Sequence, residues 1–258
     1  MQHTDHIQHL SEFLLEYAAT LMGAGVHTNR AVRNTSRIAA AYGYSADMSI
    51  FQRNITMSLI SQDDETLRRT SVRKLKPLAF NFNLIQQLSE LSWLPMDDNI
   101  SVEDMNLRFQ AIVATKRFSR WTDLILVSIG NAAFCRLFNG DAWAMLTVFC
   151  ATMLGFLVKQ QFARMKYNPL GVIIMAAFTA SMAAACAVIF QIGATPQTAL
   201  ATSVLFLVPG VQMINSIMDL MHGHILMGIS RGVHSIMMIA CIAIGLSATM
   251  IILGVNSL

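Results

Sequence analysis

The stretch Leu205–Arg231, LFLVPGVQMINSIMDLMHGHILMGISR, contains a Pro-Gly pair, amides and a carboxylate inside an otherwise apolar run. Pro209 has no backbone N–H and Gly210 weakens helical structure, so a helix through this run is expected to break there. Within a bilayer, the freed backbone groups must be satisfied by protein, water or cargo. Broken membrane helices recur in transporters, because the new helix N-terminus attracts anionic groups. The stretch therefore predicts a membrane transporter of small carboxylates.

Charged residues are distributed unevenly along the chain. Residues 1–120 contain 13 of the 18 Lys and Arg residues and 12 of the 15 Asp and Glu residues. The remainder is mostly apolar, and we predict an N-terminal α+β domain over residues 1–120 and a transmembrane domain over 121–258. Five apolar runs meet the requirement of about 17–25 residues for crossing a bilayer. The predicted bundle has five helices, at 121–137, 142–158, 170–192, 199–220 and 232–255, and the fourth is broken by its Pro-Gly pair.

The basic residues near the apolar runs predict the orientation in the membrane. They lie mainly at alternate ends of the predicted helices, and an excess of Lys and Arg marks cytoplasmic loops. The N-terminus is therefore predicted to be cytoplasmic and, with an odd number of helices, Leu258 to be periplasmic or extracellular. The polar start MQHTDHIQH indicates no cleavable signal. The formal charge of +3 is attributed to this topology, so no nucleic-acid partner is expected.

The N-terminal domain shows helical and strand patterns in turn. Helical periodicity predicts four helices, and short β-leaning segments between the second and third predict three strands. Ser101 is predicted to cap the last helix, with Asp104 three residues on. The predicted helices are Ile7–Met22, Thr28–Ala41, Leu84–Leu91 and Val102–Ala114. The predicted strands are Met48–Phe51, Ile55–Ile60 and Leu67–Val72.

No catalytic motif is present in the sequence, which lacks GxSxG, a P-loop, HExxH, and a GxGxxG followed by a ribose-binding acid. Gly23-Ala24-Gly25 is interpreted as the end of a helix rather than as a phosphate site. Arg30, Arg33 and Arg37 form a stripe on one helix side. We interpret this stripe as a solvated face or a docking surface for a partner in preference to an anion site. The chain is expected to be neither an enzyme nor a cofactor-binding protein.

Polar side chains within the fourth predicted membrane helix are candidates for function, because burying them without partners is costly. Asn215 and Asp219 are four residues apart and share a helix face, with Gln212 shifted slightly around it. Asn215 could hold a carboxylate substrate or contact a neighbouring helix, whereas packing is favoured for Gln212. Asp219 could form an interfacial ion pair with Arg231 or act as a proton-linked gate.

Two histidines follow this helix. His222 and His224 could imitate a metal site with Asp219, but His-x-His is a weak signal and no metal is predicted. Histidines that titrate near neutral pH would serve proton coupling equally well. The candidate substrate-binding residues are thus Pro209, Gly210, Val211, Gln212, Met213 and Asn215. The candidate proton-coupling or gate residues are Asp219, His222, His224 and Arg231.

The pattern VPG-x4-N-x3-D-x4-H-x3-G-x2-R, from Val208 to Arg231, resembles the threonine/serine exporter family of bacterial inner-membrane proteins. The order of parts is similar too, since an α+β domain meets a five-helix bundle at an Arg- and aromatic-containing junction, here Arg117–Trp121. The resemblance implies export of threonine and serine, or of succinate-type dicarboxylates as in shorter members. Some relatives have an acidic residue after the Gly-Ala turn where this chain has Gly25, so that carboxylate has no counterpart here.

The length of the chain also bears on the resemblance. Full-length members of the family resemble two fused five-helix halves, and this chain corresponds to the first. Shorter members are thought to work with a separate small multi-pass membrane subunit, so the resemblance implies a hetero-oligomer in the inner membrane. The predicted mechanism is alternating access with a carboxylate near Pro209-Gly210 and proton coupling. The alternative is a non-transporting membrane scaffold or sensor whose N-terminal domain binds a ligand or a protein.

Overall fold

The chain folds into two compact units in the computed structural model. The structure describes residues 2–75, 80–97, 100–115 and 118–254. One unit, here called the N-terminal unit, consists of Met1–Lys116 together with Val211–Gly232. The other, here called the helical unit, consists of Arg117–Gly210 together with Val233–Leu258.

Some predictions concern residues outside this description. Arg117, at the junction used for the family resemblance, is one of them, and Leu258, whose location was predicted from the helix count, is another. The end of the last predicted span, residue 255, also lies outside the described residues. The domain boundary at residue 120 stays a prediction.

The N-terminal unit contains a small sheet and helices, as predicted from the sequence. The sheet is antiparallel with strand order β1-β2-β3, and β2 pairs along its length with both neighbours. Its elements are α1 (Gln2–Gly23), α2 (Thr28–Ala41), β1 (Tyr44–Ile50), β2 (Asn54–Ser61), β3 (Arg68–Lys74), α3 (Phe82–Leu91), α4 (Leu94–Asp97) and α5 (Val102–Val113).

Local signals explain where several of these elements begin. The His27 side chain accepts a hydrogen bond from the Arg30 backbone N–H at the start of α2. The Ser101 hydroxyl accepts one from the backbone N–H of Asp104, which confirms the predicted cap of α5. Along β2, Ile55, Met57 and Leu59 are buried and alternate with more exposed residues, as expected for a strand with one face on a core.

The core of the N-terminal unit is built around α1. Leu10, Leu14 and Leu21 of this helix are fully buried, and they recur at the spacing that predicted it. Tyr17 is also fully buried and donates a hydrogen bond from its hydroxyl to the Leu88 carbonyl, with 2.6 Å between the oxygens. This contact ties α1 to α3 and satisfies the one polar atom that the ring brings into the core.

The segments that follow residue 118 are almost entirely helical. A 3-10 turn at Leu205–Leu207 and the non-helical Val208–Pro209 separate α9 from α10, which confirms the predicted break at the Pro-Gly pair. Helix α9 already ends at Thr202, so the interruption is longer than the sequence indicated. The helices are α6 (Arg120–Leu137), α7 (Ala142–Arg164), α8 (Pro169–Ile189), α9 (Pro196–Thr202), α10 (Gly210–Met221) and α11 (Ile225–Leu253).

Among the described residues, three helices are long and apolar enough to cross a membrane, namely α7, α8 and α11. A fourth span results if Pro196–Leu207 and Gly210–Met221 are counted as one bent segment. Helix α6 falls outside this set, because its 18 residues include the charged Arg120, Asp123 and Arg136. The structure therefore has three or four candidate spans, and the complete five-helix bundle stays a prediction.

Small residues bring backbones close together within the helical unit. A Cβ atom added to Gly155 of α7 would lie 2.8 Å from the Ala180 Cβ and 2.9 Å from the Ala176 carbonyl oxygen of α8. Ala176 and Ala180 are fully buried, as are several other alanines of α8. Close contacts of this kind replace the hydrophobic driving force that is missing between helices in lipid.

Candidate functional site

Helix α10 has an unusual distribution of polar and apolar residues for a surface helix. Its polar side chains Asn215, Ser216 and Asp219 are buried, and Asp219 is completely inaccessible. Its exposed side consists of large apolar residues, which would be unfavourable in water but suit a lipid or membrane-protein environment. The exposed apolar side chains are Met213, Ile214, Ile217, Leu220 and Met221.

The buried polar side of α10 contacts the turn between α1 and α2. The Asn215 Nδ2 donates a hydrogen bond to the Gly25 carbonyl oxygen at 2.7 Å. The Asp219 Oδ1 accepts one from the Thr28 backbone N–H at 2.7 Å. At the start of α11, the Arg231 Nη2 donates to the Val26 carbonyl oxygen at 2.9 Å. We call these three contacts, together with the ion pair between Arg231 and Asp219, the clasp; all of them lie within the N-terminal unit.

An ion pair completes the clasp. The Arg231 Nη1 lies 3.1 Å from the Asp219 Oδ2, so the interfacial pair considered from the sequence is present. Thr28 is the first residue of α2, which places the carboxylate at the positive end of that helix dipole. The pair is almost free of solvent, with the Asp219 side chain fully buried and that of Arg231 13% exposed. A buried charge pair of this kind is costly to break from one side.

Gly25 gives the turn its shape. Its φ of +95° lies in the left-handed region, and an added Cβ would collide with the ring of Phe80. The sequence interpretation of Gly23-Ala24-Gly25 as a helix end is correct, since Ala24 N–H still bonds to the Thr20 carbonyl. That interpretation missed the carbonyl acceptors of Gly25 and Val26, which bind side chains about two hundred residues away in sequence.

We expect Gly25→Ala to lower the thermal stability of the protein and to loosen the clasp. The left-handed conformation costs a residue with a Cβ about 1–2 kcal/mol, and the collision with Phe80 adds to this. Gly43→Ala is the matched control, because Gly43 has a φ of +80° with open space around the added Cβ. Thermal unfolding should show a larger loss for Gly25→Ala. Equal losses for both variants would mean that the turn has room to adjust.

The histidines occupy two different environments. The rings of His27 and His222 are stacked with centroids 6.0 Å apart, and the His222 Nδ1 lies 2.7 Å from the Met218 carbonyl oxygen. Burial lowers the pKa of His27, the Asp219 carboxylate opposes this shift, and His222 is the next group that lowers it. A neutral His27 at pH 7 is consistent with its ring nitrogen accepting a hydrogen bond from Arg30. His224 contributes its backbone N–H, which donates to the Asp219 carbonyl oxygen at 2.8 Å.

The candidate substrate-binding residues surround the start of α10. Pro209 precedes the helix, Gly210 begins it, and the Met213 side chain is exposed. The Gln212 Oε1 is buried and has no hydrogen-bond partner in the part of the chain that the structure describes. An amide oxygen in this state can accept a hydrogen bond from a hydroxyl or ammonium group.

The helical unit contains a buried amide that was not among the residues predicted from the sequence. Asn131 of α6 donates from its Nδ2 to the Thr152 hydroxyl of α7 at 2.7 Å and to the Thr202 carbonyl oxygen of α9 at 3.3 Å. The Asn131 Oδ1 is buried without a hydrogen-bond partner among the described residues. Asn131 thus donates a hydrogen bond to a backbone carbonyl at the point where α9 ends and the interruption begins. The available signal was a single amide in an apolar run. The prediction treated this residue only as part of the span 121–137.

Sequence comparison with known proteins assigns this chain to a transporter family. A family model described as "Putative threonine/serine exporter" matches residues 12–253, which is nearly the whole chain. The chain belongs to this threonine/serine exporter family, as the pattern from Val208 to Arg231 indicated. Together with its long apolar helices, this membership makes the chain a multi-pass membrane protein of the transporter class.

Two curated relatives are similar over most of their length. The "Probable succinate transporter subunit YjjP" of Klebsiella aerogenes is 25% identical over 244 residues, covering 93% of this chain and 93% of the relative. The protein of the same name from Escherichia coli strain K12 is 27% identical over 220 residues, covering 83% and 84%. No solved structure matches the chain significantly.

Proposed function

We propose that this chain is a subunit of an inner-membrane secondary transporter that exports small carboxylates, either threonine and serine or a succinate-type dicarboxylate. The observation that carries the proposal is the interruption at Val208–Pro209, after which α10 begins at Gly210 within an apolar segment of a transporter-family chain. The names of the two relatives support a dicarboxylate cargo and a subunit role. The second subunit would be a small multi-pass membrane protein, and the N-terminus would be cytoplasmic.

The start of α10 is the proposed binding point for the cargo carboxylate. The first N–H groups of a helix have no intrahelical acceptors and, together with the helix dipole, attract an anion. In α10 these are the N–H groups of Val211, Gln212 and Met213, which follow Pro209-Gly210 directly. The unpartnered Gln212 Oε1 would accept a hydrogen bond from a cargo hydroxyl or ammonium group. Asn215, one turn further on, would orient the cargo.

The clasp is the proposed inner gate. In this conformation, the Asn215 side chain is hydrogen-bonded to the Gly25 carbonyl oxygen. The Asp219 carboxylate accepts a hydrogen bond from Thr28 and forms the ion pair with Arg231. For Asn215 to reach cargo, the clasp must open. Protonation of the Asp219 carboxylate would weaken its pair with Arg231, and His222 or His224 would relay the proton. Coupling of this kind gives alternating access a proton-dependent step.

Reconstituted vesicles provide the test of transport. The chain should be inserted with and without a candidate small multi-pass membrane subunit, and efflux of labelled succinate, threonine or serine should be measured under an imposed proton gradient. We expect efflux of one cargo class only when both subunits are present. Asn215→Ala should reduce that efflux at least about tenfold, because a charge-assisted hydrogen bond to the cargo is lost.

A control variant shows whether the loss of efflux is specific to Asn215. Gln110→Ala removes an exposed amide from α5 and should leave efflux unchanged. Unchanged efflux in Asn215→Ala would remove this residue from the proposed site. A folded two-subunit complex that moves none of the three compounds would contradict the transporter proposal and favour the membrane scaffold or sensor.

A further inference from the structure

A polar pocket of about 440 Å³ lies on the N-terminal unit, between α2 and the end of α3. Its arginines are those of the stripe on α2. Asn34, Ser89 and Trp93 also line the pocket. All of these residues belong to Met1–Lys116, and the pocket is separate from the start of α10.

Among the side chains that the structure describes, no acidic one lines this pocket. In the ranges whose side chains the structure describes, 6–75, 80–96, 100–115 and 118–254, the ion pairs are Arg73 with Glu16 and Arg231 with Asp219. Arg30, Arg33 and Arg37 therefore line the pocket without an ion pair to any of these described carboxylates. Burial, followed by the neighbouring charge of Arg33, lowers the pKa of Arg37, although a guanidinium remains protonated at neutral pH. Three like charges on one helix side repel each other, and a bound anion would relieve that repulsion.

Two of the guanidinium groups are held in place by neutral partners. The Arg30 Nε donates to the Ser89 hydroxyl at 3.1 Å, and the buried Asn34 donates to the same oxygen. The Arg37 Nη1 donates to the Ser92 hydroxyl at 2.6 Å, and its Cζ lies 3.5 Å from the centre of the Trp93 ring. A guanidinium has five N–H donors, so each retains donors for a ligand. Groups fixed in this way lose little entropy when they bind.

We infer that this pocket binds a small organic dianion with two carboxylates. Arg30, Arg33 and Arg37 are spaced over two turns of helix, about 10 Å along its axis, so they can serve two separated anionic groups. Arginine matches a planar carboxylate with two parallel hydrogen bonds. The concave shape and the Trp93 wall favour a small molecule with an apolar linker over an extended protein surface. The titration described below distinguishes this inference from the interpretation of the stripe as a solvated face or a docking surface.

The pocket lies next to the clasp. His27 lines the pocket and stacks on His222, and the following residue, Thr28, donates its N–H to Asp219. An occupant of the pocket would therefore stabilise the first turn of α2 in the position that the clasp requires. The inference goes beyond the proposed transport function, because it assigns a second site whose ligand need not be cargo.

Trp93 provides a local signal for a binding experiment. The chain has three tryptophans, so Trp121→Phe with Trp143→Phe leaves Trp93 alone to report on the pocket. Succinate is titrated into this full-length protein in nanodiscs while its fluorescence is followed. We expect a saturable change that Arg33→Gln weakens at least about tenfold, since Arg33 is exposed and contributes mainly charge. Arg37→Lys should also weaken it, because the charge remains but the fork geometry is lost.

Other ligands and variants decide whether the assignment is correct. Arg68→Gln, an exposed arginine on β3, should leave the titration unchanged. Acetate and the neutral succinamide should bind far more weakly than succinate. No saturable change, an equal effect of Arg33→Gln and Arg68→Gln, or tighter binding of inorganic phosphate would overturn the assignment. Because the signal is binding at Trp93, its failure leaves the transport proposal standing, and absence of efflux leaves this result standing.

Discussion

Replacing Asp219 with Ala should lower the free energy of unfolding by about 3–5 kcal/mol, the range expected when one partner of a buried ion pair is removed. The substitution leaves the Arg231 Nη1 facing an apolar side chain where the carboxylate was. It also removes the acceptor of the Thr28 backbone N–H, which is buried at the start of α2. The measurement is denaturant-induced unfolding in lipid nanodiscs, accompanied by the midpoint of thermal unfolding.

A double variant identifies the source of this loss. Asp219→Ala with Arg231→Met removes both charges, and it should be clearly more stable than the sum of the single losses predicts. Asp47→Ala, an exposed acid on β1, should change stability by less than about 0.5 kcal/mol. Strict additivity of Asp219→Ala and Arg231→Met would mean that the two side chains do not stabilise each other.

Substitution of Gly245 should have the second large effect, in the helical unit. A Cβ at this position of α11 would lie 2.7 Å from the Ile174 carbonyl oxygen and 2.9 Å from the Phe178 backbone nitrogen of α8. Backbone atoms cannot move aside as a flexible side chain can. We therefore expect Gly245→Ala to destabilise the protein by about 1–3 kcal/mol, and Gly245→Leu to do so more strongly.

Gly130 supplies a control of opposite sign. It lies within α6, and an added Cβ there would meet open space. Gly130→Ala should thus stabilise the helix by about 0.5–1 kcal/mol, because alanine loses less backbone entropy on folding. Thermal unfolding of the two alanine variants in the same nanodiscs makes the comparison. A stabilising Gly245→Ala would show that α8 and α11 are further apart than described here.

Elements with local signals could be predicted from the sequence. Helix α2 has the predicted bounds Thr28–Ala41, the Ser101 cap is present, and the interruption occurs at Pro209. Each of these depends on residues within one or two turns. The strands β1 and β3 each extend beyond one of their predicted bounds. The sequence of β3 is RRTSVRK, so its ends are defined by its pairing with β2 and not by an apolar pattern of its own.

The candidate site was predictable only in part. The four-residue spacing of Asn215 and Asp219 on one face is a helix property, and the pair of Asp219 with Arg231 was one of two alternatives. The partners Gly25 and Thr28 contribute backbone atoms, and a carbonyl or N–H has no signature in sequence. Asn131 of α6 contacts Thr152 of α7 and the Thr202 carbonyl of α9. These contacts depend on how the three helices pack, so the sequence alone did not indicate them. The functional roles of Asn215, Asp219 and Arg231 stay predictions.

The N-terminal unit is built from two stretches that are far apart in sequence, and this has a consequence for biosynthesis. The turn at Gly25–Thr28 leaves the ribosome early, but its partners Asn215, Asp219 and Arg231 are made only after α6 to α9. At about 5–20 residues per second, the interval is roughly ten to forty seconds. During that time, the carbonyl groups of Gly25 and Val26 and the N–H of Thr28 must form hydrogen bonds with water or with a chaperone instead. Its final structure is therefore reached only after the intervening helices have been synthesised.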